Sequence, residues 1–400
     1  MTETEDAPLA DPAPAAPDDQ SEQTPEAARR HRIAVHRGAR RRLTDSAVDQ
    51  SVGERLTALV ADAGEVYDLD EPCDIYGDGP VAALERRAAK ELGFPAAAFF
   101  PSGTMAQQVA LRCWAARTGD PTVALHPMAH PEVHERDAFS QVSGLRTVHP
   151  TDAPRLPDAA EIRGFDEPFG TLMLELPLRD AGFVLPTWEE LVAVVDAARE
   201  RDAVVHFDGA RIWETATHFG RPLSEIASLA DSVYVSFYKS LGGLSGAVLA
   251  GPESLIAEAR TWRHRYGGQI FQQFPAAFAA LSGLRRVLPE LPSYVAHAKV
   301  VARALAEGFT EAGVAWFRVN PEEPHTHEFQ VWLPYDAEVL SAAALRQTEE
   351  SGVCLFRRWF AAPAGPPGLS FTEVTVNAPG LEWTAEDVRA AVADFVRRIV

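Results

Sequence analysis

Apolar and polar positions along the chain fall into two periods, and their order predicts the architecture. Val48, Val52, Leu56, Leu59 and Val60 recur at helical spacing, so residues 47–64 read as a helix with one apolar face. Pro80 opens a further helix that runs to Leu92, with Gly93 as its stop. Ala97–Phe100 is a short strand, Pro101-Ser-Gly-Thr104 a turn, and Met105–Arg117 the next helix. Residues 171–176, 203–207, 232–238 and 246–250 read as strands, and the helical stretch 188–202 lies between the first two. Strand, helix and strand in that order predict a parallel α/β sheet. After Gly251 the pattern turns to helices at 252–263, 275–288 and 291–312. Residues 328–333, 353–356 and 371–376 then read as strands of a smaller sheet, and 384–399 as a closing amphipathic helix. The expected fold is a large α/β domain with a mostly parallel sheet plus a smaller C-terminal α+β domain. The divisions are 1–28 (a disordered acidic tail), 29–75 (an arm and a helix), 76–285 (the large domain) and 286–400 (the small domain). No internal repeat is present.

Composition narrows the class. Hydrophobic residues make up 46% of the 400 and charged residues 24%, enough for a sizeable core. The net charge of -20 argues against nucleic acid or an anionic membrane as partner. Seven arginines crowd residues 29–42, which read as a solvated segment balancing the acidic tail. Cys73, Cys113 and Cys354 are too few and too far apart for a disulfide framework or a CxxC metal site. The N-terminus lacks a secretory pattern, and no run of about 18 apolar residues exists, so the expected location is cytoplasmic.

Candidate chemistry concentrates in residues 203–251. The strand 203–207 ends on Asp208, followed by Gly209, Ala210 and Arg211; the run 232–238 ends at Lys239, with Gly242 and Gly243 beyond. Loops at the carboxyl ends of parallel strands are where α/β folds place their chemistry. An acid and a lysine therefore share one crevice, and desolvation would keep the lysine available for a Schiff base. Ser102, Gly103 and Thr104 at a helix start are a phosphate-cradling arrangement and also ordinary capping residues. His126, His130 and His134 have the spacing of a metal-binding helical face, but Pro127 and Pro131 break that helix, so no metal is expected. A histidine there would instead stack on a planar cofactor ring. His325 and His327, with no third ligand in view, read as part of a surface loop. Taken together, the lysine, the acid and the upstream turn describe a pyridoxal 5'-phosphate site: a lysine for the Schiff base, a carboxylate for the pyridine nitrogen, a turn for the phosphate.

The motifs YGDGP, FFPSGTMAQQVAL, HFDGARIWE and ADSVYVSFYKSLGGLSGAVLAG, in this order, resemble the threonine aldolase/aromatic amino acid β-eliminating lyase family, of the aspartate-aminotransferase fold (fold type I). The resemblance is close over residues 70–285 and loose elsewhere. It implies Lys239 as the Schiff-base lysine, Asp208 as the pyridine-nitrogen partner, and Ser102, Gly103 and Thr104 at the phosphate. Arg211 would lie near the cofactor's phenolic oxygen and the substrate carboxylate; His130 would stack on the ring, with Glu135 matching a family glutamate. Three departures stand out. Leu176, Pro177 and Leu178 follow Glu175 where the family has Asn-Thr-His. Phe271 precedes Gln272 where the family has a phosphate-reaching arginine. The strand LSFTEVTVN lacks the arginine that clamps the substrate carboxylate, leaving Arg357 and Arg358 as substitutes. The family's N-terminal Ser-Asp segment is also not recognisable in residues 31–43. The implied activity is lysis of an amino acid, foremost aldol cleavage of a β-hydroxy-α-amino acid to glycine and an aldehyde, by a homodimer or homotetramer. The rivals are β-elimination or another reaction on a different amino acid, and a non-catalytic binding or regulatory protein of the same fold; the retained Asp208, Arg211 and Lys239 speak against the latter.

Overall fold

A computed structural model describes residues 24–362 and 368–399. The elements run α1 (Pro25–Gly38), β1 (Arg41–Arg42), α2 (Val52–Ala63), α3 (Gly79–Leu92), β2 (Ala96–Phe100), α4 (Gly103–Thr118), β3 (Thr122–Ala124), α5 (His130–His134), β4 (Arg146–Val148), α6 (Ala159–Gly164) and β5 (Thr171–Glu175). They continue with α7 (Trp188–Arg199), β6 (Val204–Gly209), α8 (Ala216–Phe219), α9 (Leu223–Ala227), β7 (Ser232–Ser236), β8 (Ala247–Gly251), α10 (Glu253–Arg265), α11 (Phe274–Arg286) and α12 (Leu291–Glu311). The C-terminal part holds β9 (Arg318–Asn320), β10 (Glu328–Leu333), α13 (Ala337–Ser351), β11 (Val353–Cys354), β12 (Phe360–Ala361), β13 (Ser370–Thr375) and α14 (Ala385–Val396).

Seven strands form the central sheet in the order β2-β8-β7-β6-β5-β3-β4. Only β8 runs against its neighbours, pairing antiparallel with both β2 and β7. The sheet is covered by helices on both faces, which is why β5, β7 and β8 are buried at every position and read as unbroken apolar runs. Local chemistry sets the helix ends. Thr187 accepts from the Glu190 N–H in a capping box at the start of α7. Gly93 closes α3 in the left-handed region, at φ 73°.

The second core lies around an antiparallel sheet of order β12-β13-β10-β9, packed against α12 and α14. Helix α12 serves both cores: Leu291 and Tyr294 belong to the large one, and Ala298, Val301, Leu305 and Phe309 to the small one. Alternation in β10 and β13 sends Phe329, Val331, Leu333 and Val374 inward. The opposite face carries Glu328, Gln330, Glu373 and Thr375, with Glu328 opposite Thr375 and Gln330 opposite Glu373.

Several sequence expectations need correction. Residues 353 and 354 leave the small sheet and pair in parallel with Arg41 and Arg42. The expected disordered tail ends early, because Thr24 caps α1 through the Ala27 N–H, with Pro25 in the first turn; the rest of the tail, residues 1–23, lies outside the described residues. The arginine-rich segment is thus largely helical. Helix α13 was not expected at all. The apolar face of α2 points outward, with Val52 77% and Val60 72% exposed. Among the described residues no helix is long and apolar enough to cross a membrane.

Candidate active site

The carboxyl ends of β5, β6 and β7 lie side by side. Glu175 is in register with Asp208, and Asp208 with Tyr234. Asp208 is buried and accepts from the Ala210 N–H at 3.1 Å; burial holds its carboxyl above the usual range. Glu175 is buried beside it, accepting from the N–H of His130 at 2.7 Å and of Arg179 at 3.2 Å. Burial, then Asp208, raises its pKa. Lys239 follows β7, and the charges that act on it include Arg211, Asp208, Glu175 and Arg179. Burial, then Arg211, lowers its pKa and enlarges the fraction of free amine.

Helix α4 starts at the same edge. Ser102 caps it through the Met105 N–H at 3.3 Å, leaving other first-turn N–H groups directed outward. Gly103 is required by close approach: a Cβ there would sit 2.0 Å from Tyr234 Oη. Thr104 Oγ1 donates to Glu135 Oε1 at 2.9 Å, and His130 Nδ1 lies 3.3 Å from the same oxygen. The other carboxylate oxygen of Glu135 is buried without a hydrogen-bond partner among the described residues. The structure thus gathers Lys239, Asp208, Arg211, Ser102, Gly103, Thr104 and His130 about one edge of the sheet, together with Glu175 and Glu135.

Arg211 is engaged by the small domain. Its Nε lies 2.5 Å from Glu328 Oε2, and its guanidinium stands 5.3 Å from the Phe183 ring centre. Arg179, which sequence reasoning missed, donates to Glu373 at 2.8 Å and lies 3.4 Å from Asp180. Behind Arg211, His327 is buried, with Nε2 3.3 Å from Glu214 and Nδ1 bonded to the Val376 carbonyl at 2.7 Å. The Ser240 hydroxyl, next to Lys239, also donates to Glu214. The surface-loop reading of His327 is therefore wrong: it is buried, and Glu214, then Glu328, raise its pKa against the effect of burial. His325 is half-buried and accepts from the Leu185 N–H. Of the histidines at metal-type spacing, from which no metal was expected, His126 bonds the Ala153 carbonyl and His134 bonds Asp180.

The substitutes for a carboxylate clamp lie elsewhere. Arg357 is ion-paired with buried Asp49, and Arg358 stacks on Phe360 at 5.1 Å. Phe271 meets Tyr76 edge-on.

A family model of β-eliminating lyases matches residues 51–333. The chain belongs to the β-eliminating lyase family. Low-specificity L-threonine aldolase 1 of Arabidopsis thaliana is 30% identical over 296 residues, 71% of this chain and 80% of that protein. A solved structure from Listeria monocytogenes EGD-E, provisionally named an L-allo-threonine aldolase, superposes with a TM-score of 0.81 at 31% identity, covering 92% of this chain and 99% of that one. Serine palmitoyltransferase of Sphingomonas wittichii shares the fold alone, at a TM-score of 0.60 and 15% identity, covering 85% of this chain and 82% of that one. The fold is therefore fold type I. In this chain the matched region takes in Asp208, Arg211, Lys239 and Glu328 and stops before β13, the strand that carries Glu373.

Proposed function

We propose that the site binds pyridoxal 5'-phosphate and cleaves the Cα–Cβ bond of a β-hydroxy-α-amino acid, releasing glycine and an aldehyde. One observation carries the reading: a desolvated lysine and a buried aspartate end adjacent strands beside a helix N-terminus that only glycine fits. The relatives named L-threonine aldolase support the choice of substrate class. When bound, the cofactor supplies an electron sink for the charge left at Cα after bond cleavage.

The residues present fit that group. Lys239 would hold its aldehyde carbon. Asp208, in a low-dielectric place, would keep a proton on the ring nitrogen. Gly103, Thr104 and the α4 N-terminus would receive the phosphate. Glu135 orients His130 through Nδ1, which leaves Nε2 to flank the ring and to take the β-hydroxyl proton. Arg211 would receive the α-carboxylate. The test is an absorption band of the lysine-bound cofactor in the purified protein, absent in Lys239→Ala, with acetaldehyde and glycine formed from threonine. A wild type that stays colourless with added cofactor would sink the proposal. Pyruvate and ammonia from serine, without aldehyde from threonine, would replace cleavage by elimination.

The protein is further proposed to be a homo-oligomer. Tyr238 and Leu244, on either side of the Lys239 loop, are 41% and 40% exposed. Ile270, Phe271 and the outward stripe of α2 add to the same uncovered apolar surface, and Arg55 of α2 donates to the Gly242 and Gly243 carbonyls.

A further inference from the structure

We infer that Glu328 is the positioning residue of Arg211: it holds the guanidinium by Nε and leaves the two terminal nitrogens for the substrate's α-carboxylate. This rests on the reading above, in which Arg211 receives that carboxylate, and deepens it. Three observations lead to it. First, the contact is one-sided. Glu328 Oε2 approaches Arg211 most closely at Nε, at 2.5 Å, and among the described residues no hydrogen bond reaches either terminal nitrogen. Second, the flat face of the guanidinium is also held, by the buried Phe183 ring, whose centre lies 5.3 Å away. Third, Glu328 is itself fixed. Its Oε1 accepts from the Thr375 hydroxyl at 3.3 Å, across the register of β10 and β13. Glu214, His327 and Glu328 each bring one side-chain atom within 4.8 Å of the other two. Glu214 in turn receives the Ser240 hydroxyl from the Lys239 loop.

A guanidinium is a rigid fork, and two of its N–H groups side by side match a carboxylate. With Nε taken by Glu328, the pair at the end of the fork remains for the substrate. An arginine side chain has many rotamers, and ordering it at the moment of binding costs affinity. A protein carboxylate that orders it beforehand removes that cost. An acid beside the arginine also has an opposite effect, since it weakens the positive potential that attracts an anion. The structure favours the first effect. Glu214, Glu373 and Glu175 act on Arg211 as well, so loss of one acid among four leaves most of the field in place. At Nε, Glu328 is the carboxylate in contact, and nothing else among the described residues hydrogen-bonds there.

The opposite signs decide the test. Glycine and glycinamide differ only at the α-carboxylate, so the ratio of their affinities reports how well that group is held. Each is titrated into the cofactor-loaded protein, with binding read by calorimetry and by the change in the Lys239 absorption band. Wild type is expected to prefer glycine, and Arg211→Ala to lose the preference. Glu328→Ala should reduce the preference about tenfold, the cost of ordering one long side chain on binding. Glu328→Gln keeps the length and an acceptor for Nε–H, so its preference should fall less, by about threefold. That isosteric variant carries the test where Glu328→Ala fails to fold. Charge alone predicts a rise in both variants. A preference that rises or stays constant in the variants that fold, while Arg211→Ala abolishes it, would overturn the positioning role and leave Arg211 as the carboxylate site. No preference in wild type, or one retained in Arg211→Ala, would overturn both readings.

Discussion

His327 is the group whose titration should be visible in the stability of the whole protein. Burial alone would push its pKa down, but the carboxylate of Glu214, then Glu328 and the Val376 carbonyl, outweigh burial and raise it to about 9. A rise from 6.5 to about 9, at about 1.4 kcal/mol per pH unit, corresponds to about 3 kcal/mol of stabilisation. The folded-state pKa is the higher of the two. The stabilisation is therefore complete below pH 6.5 and drains away as pH rises through 9. Replacing His327 by Gln removes the charge and retains a side-chain donor, leaving Glu214 and Glu328 with Arg211 and the hydroxyls of Ser240 and Thr375. The measurement is urea denaturation of wild type and His327→Gln at pH 6, 7.5 and 9.5. The wild type should exceed the variant by about 3 kcal/mol at pH 6, and most of that gap should be gone at pH 9.5. A gap that stays constant with pH would show that His327 is neutral in the fold. The network would then rest on Arg211 alone.

Other consequences are quicker to check. Gly103→Ala forces a methyl onto the Tyr234 hydroxyl, so a loss of about 1–3 kcal/mol by denaturation and weaker cofactor retention are expected; normal values for both would mean that the cradle is looser than described. Arg357→Ala strands buried Asp49 and should lower the melting temperature, with little effect on KM in whatever protein folds, whereas Arg211→Ala should damage substrate use. The opposite ranking in KM would place the carboxylate clamp in the small domain. Val52→Asp or Leu56→Asp should shift the protein to a smaller species in light scattering; an unchanged mass would mean that the α2 stripe is not an interface.

What could be read from the sequence follows from how local each signal is. Five of the seven central strands, β2, β5, β6, β7 and β8, announce themselves because burial on both faces demands continuous apolar runs, and Asp208 and Lys239 stand where two of those runs stop; β3 and β4, three residues each, are too short to register. Helix α13 carries its sequence signals at its ends rather than along its face. Asp336 caps it, Gly352 ends it at φ 71°, and its buried side is Leu340, Ala343, Ala344, Gln347 and Thr348. That side is too small and too polar to register as an apolar stripe. The direction of the α2 face was not local either. A periodic pattern states that a helix has an apolar side, and the same pattern serves whether that side meets the core or another chain.

The ion pairs of the site lie beyond any local signal. Glu328 and Arg211 are 117 positions apart, and Arg179 and Glu373 are 194 apart. Nothing near Glu328 marks it as other than the polar first residue of a strand. Its partner is decided by how the small domain seats against the end of β6. The absence of the family arginine from β13 was legible, and from the sequence alone it looked like a lost clamp awaiting a substitute. In the structure that strand and its neighbour present acids there, Glu373 paired with Arg179 and Glu328 with Arg211. The departure thus puts carboxylates, paired with Arg179 and Arg211, on the strands where the resemblance implied an arginine.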